Sequence, residues 1–298
     1  MAAPIVVAGA TGALGRRVVA RLLDAGHPVR ALVRDPRRLG PLRERVELHV
    51  GDVRTDARLA EAARGACAIF SALGASVQPA LGAGQRSYPD VDVPANLRLL
   101  EAAQAAGVPR FVYVSLILTP MAGTTRYVRA HEDVVAALRG SGLDWCALRP
   151  TGFHSVFASF LDLARRGVVP VFGAGSSRSN PIADDDLAAI AAAQLTTTAI
   201  ADREPLLGGP EIMTRRRVAE IACELVGRGR VVSVPPWLGR VMAAAIRPLS
   251  PRMSDLLRFA VAIGGEDAIA PCVGTTTVAT TFAGVLAARR DARALPRP

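Results

Sequence analysis

Lysine is missing from this chain: all 36 of its basic side chains are arginine. A net charge of +10 raises the question of nucleic acid or an anionic surface as partner. The arginines are scattered, however, and neither aromatic interleaving nor a nucleic-acid-binding motif accompanies them. A coding preference for arginine accounts for the excess, and nucleic-acid binding is not expected. Aromatic residues are also scarce, at 4% of the chain against 50% for all hydrophobic residues. The filler is therefore mostly Ala, Val and Leu, as in alternating strands and helices. Cysteine is limited to Cys67, Cys146, Cys223 and Cys272, far apart and without metal-ligand spacing, so no metal site is expected and reduced thiols in a cytoplasmic setting are. The longest apolar runs, such as Val241 to Ile246 and Phe259 to Gly264, fall far short of the ~18 residues that a membrane span requires. With no charged leader before the first strand, the expectation is a soluble cytoplasmic chain with no membrane partner, a peripheral contact being left open.

What is present is a regular alternation of short apolar runs and stretches of helical period. Ile5 to Ala8, Val29 to Val33, Val46 to His49, Ala68 to Ser71, Phe111 to Ser115 and Trp145 to Leu148 read as six strands, the last stopped by Pro150. Between them, Arg16 to Asp24, Asn96 to Ala106 and Arg129 to Arg139 read as helices, each followed by a glycine. This is an α/β pattern, and it predicts a Rossmann-type doubly wound parallel sheet over residues 1–155. Residues 156–298 show a looser pattern. Helices are expected near Phe157 to Arg166, Ala183 to Leu195 and Arg216 to Val226, proline joints at 235–236 and 248–251, and a frayed tail from Arg289. This half is expected to pack on the same core and cap a substrate cleft. Nothing in the sequence specifies an oligomeric state.

The turn Gly9-Ala10-Thr11-Gly12-Ala13-Leu14-Gly15 follows the first strand and opens the first helix. Only in that setting does a glycine pattern carry weight: Gly9 permits the tight turn, Gly12 lets the backbone approach a pyrophosphate, and Gly15 allows close packing of helix on strand. The helix N-terminus then faces the negative charge. The second strand ends in Arg34, with Asp35 next and Arg37 and Arg38 close behind. Guanidinium forks suit the 2′-phosphate of NADP(H), whereas Asp35 suits the ribose of NAD, so the balance of residues points to NADP(H). Asp52 and Val53, after the third strand, are candidates for the adenine pocket.

Gly51-Asp52-Val53, the strand Phe111-Val112-Tyr113-Val114-Ser115 and the run Ser141 to Phe153 join the glycine turn in a wider pattern. With Asn180-Pro181-Ile182, Asp184 to Leu187 and Gly208 to Glu211, the chain resembles an atypical short-chain dehydrogenase/reductase of the NmrA-like, NAD(P)H-binding group over roughly residues 4 to 230. The resemblance implies that Ala72 and Leu73 lie along the cofactor and that Pro150, Thr151, Gly152 and Phe153 contact its nicotinamide. Members of the group include ketone and quinone reductases, sugar-nucleotide epimerase relatives and redox-sensing regulators without turnover, and fold alone does not choose among them.

The wider superfamily uses a serine, a tyrosine and, four residues on, a lysine that lowers the tyrosine pKa. Aligned on the helix before Ser141, the tyrosine position holds Tyr127, the lysine position holds His131, and the serine position, two beyond Ser115, holds Ile117. A chain without lysine cannot contain this triad. Tyr127 reads either as proton donor or as an ordinary helix-start aromatic. His131 is a weaker cation that can still bond the nicotinamide ribose. Ser115 and His154 complete the catalytic candidates, each with a structural alternative: a buried strand-end hydroxyl and a core imidazole. Asp184 to Asp186 read as a helix cap with solvated charges. The expected function is an NADPH-dependent ketoreductase acting on an aromatic polyketide or quinonoid small molecule, as in antibiotic or other secondary-metabolite biosynthesis, with protonation assisted by the substrate. The pattern is reminiscent of angucyclinone ketoreductases of the simocyclinone type. A non-catalytic NADP sensor and a sugar-nucleotide epimerase relative are the alternatives.

Overall fold

The alternation of apolar runs and helical stretches is carried into the backbone of a computed structural model, which describes residues 2–74 and 86–294. In chain order the first half contains β1 (Ile5–Ala8), α1 (Ala13–Asp24), β2 (Val29–Val33), β3 (Glu47–Val50), α2 (Leu59–Ala63), β4 (Ala68–Ser71), α3 (Tyr88–Ala105), β5 (Arg110–Val114), α4 (Arg126–Arg139) and β6 (Asp144–Pro150). The second half adds α5 (His154–Phe157), α6 (Ser159–Arg165), β7 (Val168–Phe172), β8 (Arg178–Ser179), α7 (Asp184–Thr196), β9 (Leu206–Leu207) and β10 (Met213–Thr214). It ends with α8 (Arg215–Val226), β11 (Arg230–Val234), α9 (Pro236–Ile246), α10 (Pro251–Ile263) and α11 (Val278–Ala294).

Seven parallel strands form the main sheet in the order β3-β2-β1-β4-β5-β6-β9. Ile5 lies opposite both Val29 and Ala68, so β1 is central, and the strand order switches direction there. Both faces of the sheet are covered, as a parallel sheet requires. Ile5 and Val7 pack towards Val18 and Leu22 of α1 and Leu187 and Ala191 of α7. Val6 and Ala8 pack the other way, towards Leu99 of α3 and Val134 and Leu138 of α4. Crevices at the carboxyl ends of such a sheet, beside the switch between β1 and β4, are where α/β proteins take ligands.

Several boundaries differ from the sequence reading. α3 begins at Tyr88 instead of Asn96, with Pro89 in its first turn and Pro94 tolerated inside it. α4 begins at Arg126, where Thr125 accepts a bond from the Val128 N–H. β6 continues through Pro150, because its last two residues pair with the short edge strand β9, a seventh strand that two residues of sequence do not announce. The helix expected over 157–166 is divided at Ala158 into α5 and α6. Where a frayed tail is expected from Arg289, the described residues stay helical: α11 runs to Ala294, buries Phe282 and ties Arg289 to Asp162 at 2.6 Å.

The second half does not stay on one side of residue 155. α7 and β9 complete the sheet layer, while α6, α8 and α11 build a separate apolar cluster around Leu161, Val218 and Phe282. The three aspartates that open α7 are clamps instead of a solvated cap: Asp184 accepts from the Ser155 N–H and hydroxyl, Asp185 pairs with Arg17, and Asp186 accepts from Thr275 and Thr276. The four cysteines are unpaired, and no group of metal-binding side chains occurs among the described residues.

Candidate functional site

The glycine turn is shaped by close approaches. Gly9 sits at φ +83°, where a side chain would be strained, and a Cβ there would come 2.7 Å from the Ala72 carbonyl oxygen. A Cβ on Gly15 would lie 2.2 Å from the Gly9 oxygen, so only glycine lets α1 rest on the turn. Gly12 takes the N-cap position of α1, offers no side chain to cap it and, with Ala13, is exposed. The first N–H groups of the helix are thus open to an external acceptor, which is the fit a pyrophosphate needs. Leu14 belongs to the core and contributes only backbone here. Thr11 is half-buried beside these residues.

The end of β2 carries two exposed guanidinium groups, Arg34 and Arg38, with no ion-pair partner among the described residues. Asp35 is otherwise engaged: its carboxylate caps the following short helical segment through the Arg37 N–H and pairs with the Arg37 side chain at 3.1 Å, which holds it below the usual carboxylate range. Asp52 lies nearby, pulled down to about 2 by its hydrogen bonds with Arg54 and further by the charges of Arg54 and Arg34. The Val53 side chain points into the core, so its part in an adenine pocket is limited to backbone.

The wall opposite the turn is the strand end Ser71-Ala72-Leu73. It is held by Asn96, a residue the sequence reading passed over. The buried Ser71 hydroxyl donates to Asn96 Oδ1 at 2.6 Å, and Asn96 Nδ2 donates to the Leu73 and Asp92 carbonyls. The sequence signal was a lone polar residue on the apolar face of a helix.

The third side is formed where β5 and β6 end together. The Ser115 N–H donates to the Leu148 carbonyl and the Ile117 N–H to the Pro150 carbonyl, so Ser115 to Ile117 run beside Leu148 to Pro150, which leads into Thr151 to Phe153. The Ser115 hydroxyl is buried with no hydrogen-bond partner among the described residues. Thr151 donates to the Asn180 carbonyl at 2.6 Å, Gly152 accepts from the Ile182 N–H, and Phe153 packs against the core, which fixes this strand end in place. His154 follows it but has no free nitrogen. Its Nε2–H donates to the Pro181 carbonyl at 3.0 Å, and its Nδ1 meets the Thr281 hydroxyl at 2.7 Å in a fully buried position. The Thr281 hydroxyl can donate to or accept from Nδ1, so both bonds suit either ring state; burial lowers the pKa and favours the neutral one. The catalytic expectation for His154 gives way to its structural alternative.

Tyr127 and His131 stand one turn apart on α4, their rings edge-to-face at 5.0 Å. His131 Nδ1 is bonded to the hydroxyl of Tyr113, a fully buried residue of β5, at 2.7 Å. Burial first, and the charge of Arg149 second, bring the imidazole down to about 4, so it is neutral near pH 7 and cannot act as lysine's fixed cation. Tyr127 is packed by Tyr88 at 4.5 Å and by Phe259 of α10 at 4.9 Å, and its hydroxyl has no hydrogen-bond partner among the described residues. Desolvation raises this phenol far above its ordinary value. The loop that leads into α4 is anchored by Glu266, whose carboxylate accepts from Thr119, Met121 and Ala122. Such a long-range clamp leaves no local trace in sequence.

A family described as NAD(P)H-binding matches residues 9–198. A (4-alkanoyl-5-oxo-2,5-dihydrofuran-3-yl)methyl phosphate reductase of Streptomyces griseus is 33% identical over 225 residues, which is 75% of this chain and 74% of that protein. The chloroplastic divinyl chlorophyllide a 8-vinyl-reductase of Oryza sativa is 32% identical over 260 residues, 81% of this chain but 63% of the relative's length. Among solved structures, the NADPH complex of an NADPH-dependent quinone oxidoreductase from Escherichia coli shares the fold with a TM-score of 0.73 at 23% identity, over 95% of this chain and 99% of that one.

Proposed function

Because the chain belongs to the NAD(P)H-binding family and is an oxidoreductase by its reductase relatives, we propose that it is an NADPH-dependent reductase acting on a carbonyl of an aromatic polyketide or quinone-like small molecule. The turn at Gly9, Gly12 and Gly15 would hold the pyrophosphate, Arg34 and Arg38 the 2′-phosphate, and Ala72, Leu73 and Pro150 to Phe153 the nicotinamide side. When bound, the cofactor supplies hydride. The chain's own task is to orient the substrate and supply a proton at the carbonyl oxygen.

One observation carries this reading: the Tyr127 hydroxyl and His131 Nε2 are free of partners among the described residues and stand one helical turn apart on α4. Tyr127 is protonated at neutral pH and can donate, but no lysine lowers its pKa, so its donation is slow. A substrate whose own phenol is hydrogen-bonded to the reacting carbonyl relieves that weakness. The half-exposed rings of Tyr127 and Phe259 favour a planar aromatic partner. A place in antibiotic or other secondary metabolism follows from that substrate class.

The test is consumption of NADPH with hydroxyquinones and with simple aromatic ketones. Tyr127→Phe is expected to cost about 10²-fold on ketones and under about tenfold on hydroxyquinones, which carry their own acid. An equal loss on both classes would refute substrate assistance, and no turnover on any of them would favour a non-catalytic NADP sensor. A second reading changes only the bond reduced. The rice relative is by name a vinyl reductase, and apolar Ile117 in the serine position suits a conjugated carbon–carbon double bond, whose reduction needs no acid at oxygen. Product structure separates the two.

A further inference from the structure

Away from the cofactor turn, α9 has two unlike sides. It seats on the protein through a stripe of small residues: Gly239 and Ala243 are buried, and a Cβ on Gly239 would come 2.5 Å from both Phe172 and Val261. The opposite side is bare. Trp237, Leu238, Val241 and Met242 are 60%, 36%, 55% and 47% exposed, and Leu249, in the turn to α10, is 73% exposed. At about 100° per residue, Trp237, Val241, Ala245, Leu238 and Met242 fall within one arc of about 140°. Arg240 and Arg247, both exposed, lie about 60° and 80° beyond the Trp237 edge of that arc, between it and the buried side. Scattered apolar residues on a surface are ordinary, but a contiguous helical face of them is not.

Charge decides what fits this face. Between Arg228 and Gly265 stand Arg228, Arg230, Arg240, Arg247, Arg252 and Arg258, and the only carboxylate, Asp255, is buried, its contact with the half-exposed Arg247 being a long one of 3.9 Å. A second copy docking here about a two-fold axis would set Arg240 and Arg247 against themselves with no exposed carboxylate in the segment to pair them. An anionic lipid surface presents the complementary charge together with an apolar interior. No helix of the described residues is long and apolar enough to cross a membrane. We infer that the exposed face of α9 docks in the plane of an anionic membrane surface, with Trp237, Val241 and Met242 among the acyl chains and Arg240 and Arg247 on lipid phosphates. This inference does not depend on the reductase reading.

The chain has two tryptophans, and Trp145 is only 5% exposed, so a change in emission on binding reports Trp237. Full-length protein is mixed with vesicles of phosphatidylcholine alone, or of phosphatidylcholine with phosphatidylglycerol, and followed by fluorescence and co-sedimentation. The expected result is a blue shift and binding with the anionic vesicles only, weakened by salt. Arg240→Gln should lower the affinity about fivefold, and Val241→Glu should abolish binding while leaving the melting temperature and NADPH binding unchanged. Three results would each overturn the inference: no binding, equal binding to both vesicle types, or a lipid-free dimer that Val241→Glu dissociates.

Discussion

Arg149 is buried on β6 at 4% exposure, and each of its five N–H donors has an acceptor. Two go to Glu132 at 2.7 and 3.1 Å, two to Glu204 at 2.7 and 2.9 Å, and one to the Leu116 carbonyl at 3.1 Å. The side chain thus joins α4, the segment before β9 and the strand end beside Ser115. Arg149→Met keeps most of the stem and removes the charge. Breaking a buried pair by removing one partner typically costs ~3–5 kcal/mol. Here Glu132 and Glu204 are 25% and 28% exposed, and Glu204 retains Arg139, so the lower end applies. At roughly 2.1 cal/mol/K of unfolding entropy per residue the chain has about 0.6 kcal/mol/K, and a loss of ~3 kcal/mol lowers Tm by about 5 °C. Scanning calorimetry at neutral pH measures it. Against the pull of its own burial, the Glu204 carboxyl is held below the usual carboxylate range by its hydrogen bonds to Arg139 and Arg149 and by their charges. A group with a depressed folded pKa stabilises above its unfolded pKa, and that stability is lost as the pH falls through the folded one. The variant's deficit should therefore narrow below about pH 4.5. Arg149→Met/Glu132→Met should recover part of the loss, because Glu132 is then no longer left facing the missing guanidinium. A Tm change under about 1 °C, or a deficit erased by high salt, would refute this account and place the pairs among solvent-screened surface contacts.

Other outcomes follow from the same geometry. Arg34→Ala removes a charge-assisted bond to the 2′-phosphate and should raise KM for NADPH about ten- to hundredfold with little change for NADH; a parallel change in both cofactors would show that Arg34 does not read the phosphate. Gly15→Ala puts a Cβ 2.2 Å from the Gly9 oxygen, so the turn must shift, and NADPH binding measured by calorimetric titration should be lost together with ~1–3 kcal/mol of stability. His131, lowered from 6.5 to about 4, stays neutral in the folded chain where the unfolded chain takes up a proton. Its contribution makes stability rise with pH between about 4 and 6.5, and denaturant melts of His131→Asn should show a flatter slope there; an unchanged slope would mean that the ring is solvated.

How far the sequence was legible depended on whether a feature is local. β1, β2 and β4 have the same ends in sequence and structure, because each is an apolar run bounded by turn residues. Gly9, Gly12 and Gly15 could be assigned separate tasks because the strand before them and the helix after them fix the backbone. Asn96 bonds a residue 25 positions away and Glu266 one 147 positions away, and neither spacing has a period to betray it. His154 fails for the converse reason: a histidine beside a cofactor strand suggests chemistry until Pro181 and Thr281 are seen to occupy both nitrogens.

The absent lysine takes on a local meaning at position 131. A coding preference for arginine could remove lysine everywhere, yet this position would reject a cation on physical grounds. The ring of His131 is buried, its Nδ1 is tied to Tyr113, and the guanidinium of Arg149 is close enough to depress its pKa. A lysine placed there would be desolvated beside a permanent charge whose acceptors are all spoken for by its own five N–H groups, and its pKa would fall as well. The neutral imidazole is thus the side chain that a buried Arg149 tolerates, and the site gives up the cation that would make Tyr127 an effective acid. On the proposed function, such a site favours substrates that bring their own proton to the carbonyl oxygen, which is why the contrast between hydroxyquinones and simple ketones tests it more sharply than activity alone.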